Sequence, residues 1–196
     1  FIFSLYSKQK ILVNKRNFFE AFFSGVLFHG LYLGGVFFSI SKGMPTGIAA
    51  LIVTLQPILT NALSGPILNE KVTTKQWIGV LLGFMGAAMV LGFDIGSDIP
   101  LIGLIATIIA LFAITSSTIW QKKLSNNLPL SVSNMYQALG GVAFNVMVII
   151  FFAKPYIDFT QTFIIAMGHQ IFLVSFGAFT ILMYLIKNNS ASKTVS

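Results

Sequence analysis

The chain has 196 residues and a formal net charge of +7, and it is 56% hydrophobic but only 9% charged. A soluble domain carries about 25% charged residues because its surface faces water, so this composition excludes an ordinary soluble domain. The sequence contains no cysteine, which excludes disulfides, thiolate metal sites and cysteine nucleophiles within it.

Six segments contain no Asp, Glu, Lys or Arg, and each is long enough to cross a bilayer. In chain order they are Ala21–Ser41, Gly43–Asn69, Gln76–Phe93, Ile99–Gln121, Leu124–Ala153 and Phe159–Ile186. A hydrocarbon core of about 30 Å requires about 20 residues of apolar helix. The sequence therefore predicts an all-α, polytopic helical membrane protein with six complete transmembrane helices.

The two ends of the sequence indicate two further, partial helices. Phe1–Tyr6 is a short apolar stretch, and Asn188–Ser196 is a polar stretch that follows the sixth segment. We interpret the first as the end of one membrane helix and the second as the entry to another. We therefore expect the sequence to be a fragment of a longer protein.

The basic residues indicate membrane orientation. Ten of the twelve lie in connections on one side of the predicted bundle: Lys8, Lys10, Lys15, Arg16, Lys71, Lys75, Lys122, Lys123, Lys187 and Lys193. Only Lys42 and Lys154 lie on the other side. Because Lys and Arg in short loops are retained in the cytoplasm, we predict that the loop Lys8–Asn17 is cytoplasmic. The predicted location is the cytoplasmic membrane, and the predicted partner is the lipid bilayer. The basic charge sets the orientation in the membrane and is not a nucleic-acid site.

The chain also divides into two related parts. Residues 94–100, with Gly96, Ser97 and Pro100, form the most plausible linker between residues 1–93 and 101–196. Lys42 and Lys187 end the first and sixth segments in similar contexts, at an offset of about 145 residues. This offset covers five helices. Because five is an odd number, the two copies should face opposite ways across the membrane, as in an inverted-topology repeat.

An ordered series of short motifs runs along most of the chain. It consists of Thr46-Gly47-Ile48-Ala49-Ala50-Leu51, Gln56-Pro57, Asn69-Glu70-Lys71, Gln76-Trp77-Ile78-Gly79, a glycine-rich helix to Gly92, Gly103–Leu124 with Trp120-Gln121-Lys122-Lys123, and Ser175–Ser196. The series resembles the EamA repeat of the drug/metabolite transporter superfamily, whose members have ten helices in two inverted five-helix repeats. The resemblance implies that 1–93 is the C-terminal part of the first repeat and 101–196 the N-terminal part of the second. Most of the first two and the last two helices would be absent.

The resemblance also implies a function. It predicts a secondary transporter, or permease, that moves a small polar metabolite such as an amino acid or a related compound by alternating access, in the direction of export. The alternative is a non-transporting integral membrane protein, such as a sensor or an assembly subunit. A transporter needs inward-facing polar stripes on several helices, and the sequence offers two.

The first stripe lies on the second uncharged segment. Pro57 lacks the N–H that would bond the Val53 carbonyl, so we predict a helix kink at Pro57. The polar and small residues that recur there every three or four positions are Thr46, Ala49, Val53, Gln56, Thr60 and Ser64. This stripe either lines a substrate cavity, with Gln56 and Thr60 as candidate ligands, or packs against a neighbouring helix.

The second stripe lies on the fifth segment. Asn134, Gln137, Gly141 and Asn145 fall on one helical face at about 100° per residue. An amide that faces hydrocarbon without a partner costs a few kcal/mol, so we expect this face to turn inward. The same two interpretations apply, and the three amides are substrate-cavity candidates.

His29 and Tyr32 share a face of the first segment. A titratable group inside a membrane is a candidate for a functional role, and a proton relay is the obvious one for His29. No Asp or Glu lies within any of the six segments to partner it. We therefore favour a neutral His29 that bonds across the bundle, and we retain His29 and Tyr32 as cavity candidates.

Two glycine motifs predict close helix contacts. Gly30-xxx-Gly34 and Gly79-xxx-Gly83 present no Cβ on one face, which lets two backbones pack tightly. The partner helix lies either within the chain or in a second copy, so the sequence leaves a homodimer open.

The inventory of reactive side chains argues against an enzyme. The sequence has no cysteine, two separated histidines and five acids, which lie outside the uncharged segments. This inventory offers no nucleophile–base set and no cluster of metal ligands. We therefore predict no catalytic residues, no cofactor and no metal site.

Overall fold

The structure is a computed structural model that describes residues 13–69, 71–91, 99–125, 127–152, 158–178, 181 and 184–185. Within these residues the chain is helical and contains no strand. The helices are α1 (Lys15–Ser41), α2 (Thr46–Leu68), α3 (Thr74–Leu91), α4 (Leu101–Ser125), α5 (Leu130–Phe152) and α6 (Gln161–His169), which continues as a π-helix over Gln170–Ala178. The predicted all-α class is confirmed.

Helices α1, α2, α4 and α5 are long and apolar enough to cross a membrane. Helices α3 and α6 are the described parts of the third and sixth predicted segments. The partial helices Phe1–Tyr6 and Asn188–Ser196, and most of the linker 94–100, lie outside the described residues. The multi-pass membrane architecture is therefore confirmed, whereas the count of six complete helices stays a prediction.

Several polar side chains are buried and many apolar side chains are exposed, which is the reverse of the pattern in a soluble protein. Helix α4 is the clearest example. Its polar Thr107, Thr115 and Ser117 are completely buried, whereas its apolar Leu101 and Phe112 are exposed. Small residues such as Ala110 let α1 and α2 pack closely around α4. Lipid is as apolar as these exposed side chains, so only the polar groups need shelter inside the bundle.

Contacting residue pairs give the directions of the helices. Helix α4 runs antiparallel to α1 and parallel to α2, and α5 runs parallel to α1. The pairs between α1 and α4 are Ser24–Ser117 and Ser39–Thr107. Those between α4 and α2, or the turn before α2, are Met44–Gly103 and Gln56–Thr118. Those between α1 and α5 are Gly25–Gln137 and Gly30–Phe144. These directions are those of a chain that crosses the membrane once with each successive helix.

This alternation leads to a topology test. Reporter fusions placed after Thr73 and after Ser97 should report opposite compartments, because α3 separates the two positions. Activity of an alkaline phosphatase fusion requires export, whereas fluorescence of a green fluorescent protein fusion requires the cytoplasm. We expect the Thr73 fusion to be fluorescent and the Ser97 fusion to be enzymatically active. The same compartment at both positions would contradict the topology.

Candidate functional site

Helix α2 is broken in its middle. It consists of Thr46–Val53 and Gln56–Leu68, joined by a turn at Thr54 and Leu55. Pro57 lies in the first turn of the second piece, where its missing N–H costs little. The interruption therefore falls just before the Gln56-Pro57 pair that the sequence analysis selected.

The break borders a cavity that we call the kink cavity. Its volume is about 330 Å³, and it is lined by Val53, Thr54, Gln56 and Pro57 of α2 and by Val80, Gly83, Phe84 and Ala87 of α3. A volume of this size suits a small metabolite, since ligand pockets span about 300–1,000 Å³. Gln56 is the only predicted cavity candidate among the lining residues that the structure describes.

Gln56 is held by α4. Its Nε2 donates to Thr118 Oγ1 at 3.0 Å, and Thr118 Oγ1 donates to the Ile114 carbonyl at 2.9 Å. Because the single hydroxyl hydrogen of Thr118 goes to Ile114, its oxygen can only accept from Gln56. This order fixes which end of the Gln56 amide faces α4.

Three further residues of the α2 stripe are packed against the bundle. Ala49, Thr60 and Ser64 are buried, with Thr60 and Ser64 fully so. Thr60 Oγ1 has no hydrogen-bond partner among the residues that the structure describes. The buried part of the stripe thus faces inward, whereas Thr46 at the start of α2 is exposed, and Thr60 does not line the kink cavity.

The polar face of α4 was not among the predicted sites. Its buried residues are Thr107, Thr115, Ser117, Thr118 and Gln121. Three of these hydroxyls donate to the carbonyl four residues earlier, which satisfies them inside their own helix. The cluster Thr115–Thr118 in an otherwise apolar segment was the available signal.

Two further hydroxyl pairs join α1 to α4. Ser39 Oγ lies 2.7 Å from Thr107 Oγ1, and Ser24 Oγ lies 3.2 Å from Ser117 Oγ. Ser117 also donates to the Ser24 carbonyl at 3.1 Å. These buried bonds connect helices across the bundle, and they continue the polar face of α4 toward both of its ends.

The α5 stripe faces a different neighbour. Gln137 is fully buried and its Nε2 donates to Ser133 Oγ at 2.9 Å, while its backbone lies directly against Gly25 of α1. Within the part of the chain that the structure describes, Asn134 Oδ1 and Gln137 Oε1 have no hydrogen-bond partner. The α5 and α2 stripes therefore lie on separate helix contacts, one with α1 and the other with α4.

Asn145 lies at the edge of the α1–α5 contact. Its side chain is exposed, and its Nδ2 donates to the Gly141 carbonyl at 2.8 Å and to the His29 carbonyl at 3.3 Å. It bonds backbone groups on both helices, as an interhelical clamp does. Its place as a cavity candidate stays a prediction.

His29 and Tyr32 lie in a π-helical stretch of α1, Val26–Tyr32. The His29 Cβ packs against Gly141 of α5, and the Phe28 ring lies between those of His29 and Tyr32 in edge-to-face contacts, at centroid distances of 5.0 and 5.7 Å. Single π-helical turns within helices are frequent at functional sites. Neither residue lines the kink cavity, and the proposed proton relay stays a hypothesis.

The close glycine contacts differ from the predicted ones. Gly30 packs against the Phe144 ring, but a Cβ added at Gly34, Gly79 or Gly83 would meet no atom of another helix within 4 Å in the described part of the chain. Within the described residues these three glycines therefore make no close contact with another helix, and whether a second copy packs against them stays a prediction. The tight contacts instead involve Gly25 and Gly140, because sequence spacing cannot show which helix faces which glycine.

The comparisons with known proteins agree with this architecture. Residues 1–92, slightly less than half of the chain, match the EamA-like transporter family. The resemblance inferred from the motif series is confirmed. No solved structure matches the chain.

Three curated relatives are similar to the chain. An uncharacterized transporter of Bacillus subtilis, YvbV, is 26% identical over 163 residues, which cover 78% of this chain and 52% of the relative. A probable amino-acid metabolite efflux pump of Salmonella typhimurium is 30% identical over 95 residues, covering 48% and 32%. Its Escherichia coli counterpart is 27% identical over 93 residues, covering 47% and 31%. The chain spans about half the length of these relatives or less.

Proposed function

We propose that the complete protein is a secondary transporter that exports a small polar metabolite, an amino acid or a related compound, across the cytoplasmic membrane. The observation that carries the proposal is the kink cavity, which places a polar side chain at a break in a helix otherwise suited to cross a membrane. Broken helices at substrate sites are a recurring device of secondary transporters, since irregular backbone in a membrane requires a cavity or protein partners.

The family and the relatives support the class and the substrate theme. Two relatives carry the name of probable amino-acid metabolite efflux pumps. The lining of the kink cavity combines the Gln56 amide and the Thr54 hydroxyl with apolar Val80 and Phe84. This mixture suits a compound with a polar head and an apolar body.

We further propose that transport proceeds by alternating access of two inverted repeats, with residues 1–93 in the first, 94–100 as linker and 101–196 in the second. The contacts of α1 and α2 with α4, and of α1 with α5, would then join the two repeats. Movement of one repeat against the other would open the interior to each side in turn.

The test is metabolite profiling of the native host. A strain that lacks the complete gene should accumulate a small polar metabolite inside the cell and release less of it than a strain that expresses the gene. Restoring the gene should restore release. Unchanged intracellular and extracellular levels of every compound would favour the non-transporting alternative, a sensor or an assembly subunit.

A further inference from the structure

The polar groups around the kink cavity are mainly hydrogen-bond acceptors. Thr54 Oγ1 donates its single hydrogen to the Leu51 carbonyl at 2.7 Å, so toward the cavity it offers only lone pairs. The Val53 carbonyl lies at the end of the first piece of α2, and Pro57 has no N–H that could bond it. Both residues line the cavity.

Gln56 adds a third acceptor because of its anchor. Thr118 is buried, at 4% exposure, and its Oγ1 accepts a hydrogen bond from Gln56 Nε2 at 3.0 Å. The other end of the amide, Oε1, is then left for the cavity that Gln56 lines. Removal of the Thr118 hydroxyl would let the amide rotate and present Nε2 to the cavity instead.

The remaining electrostatics do not favour an anion. The C-terminal end of Thr46–Val53 and the N-terminal end of Gln56–Leu68 meet at the break, so their opposite dipole ends largely offset each other. No Lys, Arg or His is among the lining residues that the structure describes. The side chains and the Val53 carbonyl therefore decide which charge is bound.

We propose that the kink cavity binds the primary ammonium group of an alkylamine-like substrate, and that Thr118 is the positioning residue that turns the Gln56 carbonyl oxygen toward it. An ammonium group has three N–H donors, which match the three acceptors of Val53, Thr54 and Gln56. Phe84 and Val80 supply an apolar wall for the body of the substrate, which a bare metal cation would not need. This inference rests on the proposed transport function and names the end of the substrate that the site recognises.

Two leucine analogues separate the alternatives. The amine 3-methylbutylamine keeps the ammonium group and the apolar body, whereas 4-methylpentanoate keeps the carboxylate and the same body. Binding to the purified full-length protein is measured as thermal stabilisation, because a ligand that binds only the folded state raises its stability. The amine should stabilise the protein, and the acid and sodium chloride at the same concentration should not.

Variants of Thr118 test the positioning role. Thr118→Val keeps the shape but removes the acceptor, and it should weaken binding of the amine about tenfold, the usual scale for one lost hydrogen bond to a charged group. Thr118→Ser keeps the hydroxyl and should retain wild-type binding within about twofold. If Thr118→Val does not fold, the analogue comparison on the wild-type protein still decides the ligand.

The possible outcomes are distinct. Stabilisation by the acid or by sodium instead of the amine, or no response to any of the three in a protein that still exports metabolites, would overturn the ammonium site and leave the transport function standing. Wild-type amine binding in Thr118→Val would overturn the positioning role. Amine binding in a protein that exports nothing would support the site and count against transport.

Discussion

Alanine in place of Gly25 or Gly140 should sharply reduce the amount of folded protein. A Cβ at Gly25 would overlap the Gln137 backbone, and a Cβ at Gly140 would overlap the Phe22 backbone. A backbone cannot rotate away as a side chain can, so α1 and α5 would have to separate. We expect each substitution to lower the free energy of unfolding by about 3 kcal/mol, which is the upper end of the usual cost of overpacking.

The matched controls are Gly34→Ala and Gly79→Ala. In the described part of the chain a Cβ added at either glycine would meet no atom of another helix within 4 Å, and alanine is the better helix former by about 0.5–1 kcal/mol. Yield of monodisperse full-length protein in detergent and its thermal unfolding midpoint measure the difference. Equal behaviour of all four variants would show that α1 and α5 do not meet at these glycines.

Leucine in place of Gln56 should abolish most transport while the protein still folds. The side chain is only partly buried, and Thr118 keeps its bond to the Ile114 carbonyl when the amide is removed. We expect the loss of one polar contact with the substrate to lower transport about tenfold. Gln161→Leu, at the exposed start of α6, is the control and should transport normally. Substrate release from cells or from proteoliposomes gives the rate.

Cysteine labelling can assign the two stripes separately. The sequence has no cysteine of its own, so a single introduced thiol gives a clean signal from this part of the protein. A water-soluble thiol reagent should label Gln56→Cys, and substrate should slow the reaction. Gln137→Cys should stay unreactive, because residue 137 is fully buried behind Gly25. An unreactive Gln56→Cys in an active transporter would make the α2 stripe structural.

The glycines show why some contacts escape a reading of the sequence. Gly79-xxx-Gly83 has the spacing of a packing motif, yet in the described residues nothing lies against it, while the isolated Gly25 is tightly covered. A close approach is a property of two helices together. Spacing along one helix cannot reveal the partner, its distance or its rotation.

Some residues at the kink cavity could be predicted from the sequence, and others could be found only from the structure. The sequence selected Gln56 because it lies on a stripe of polar and small residues, and Pro57 because it lacks a backbone N–H, and both line the kink cavity. It did not select Thr118, since a threonine in an apolar helix can satisfy its hydroxyl locally and be ordinary. Only the position of α4 beside the break in α2 makes Thr118 the partner of Gln56.

The sequence by itself determined the all-helical class and the membrane environment, because the length of uncharged segments and the distribution of Lys and Arg act residue by residue against lipid and water. The tertiary structure alone decided that α4 is the buried helix, that Gly25 meets Gln137, and that the α2 and α5 stripes have different neighbours. In lipid most apolar faces are equivalent. The choice among them is made by close packing and a few interhelical hydrogen bonds, which depend on pairs of helices and not on any one segment.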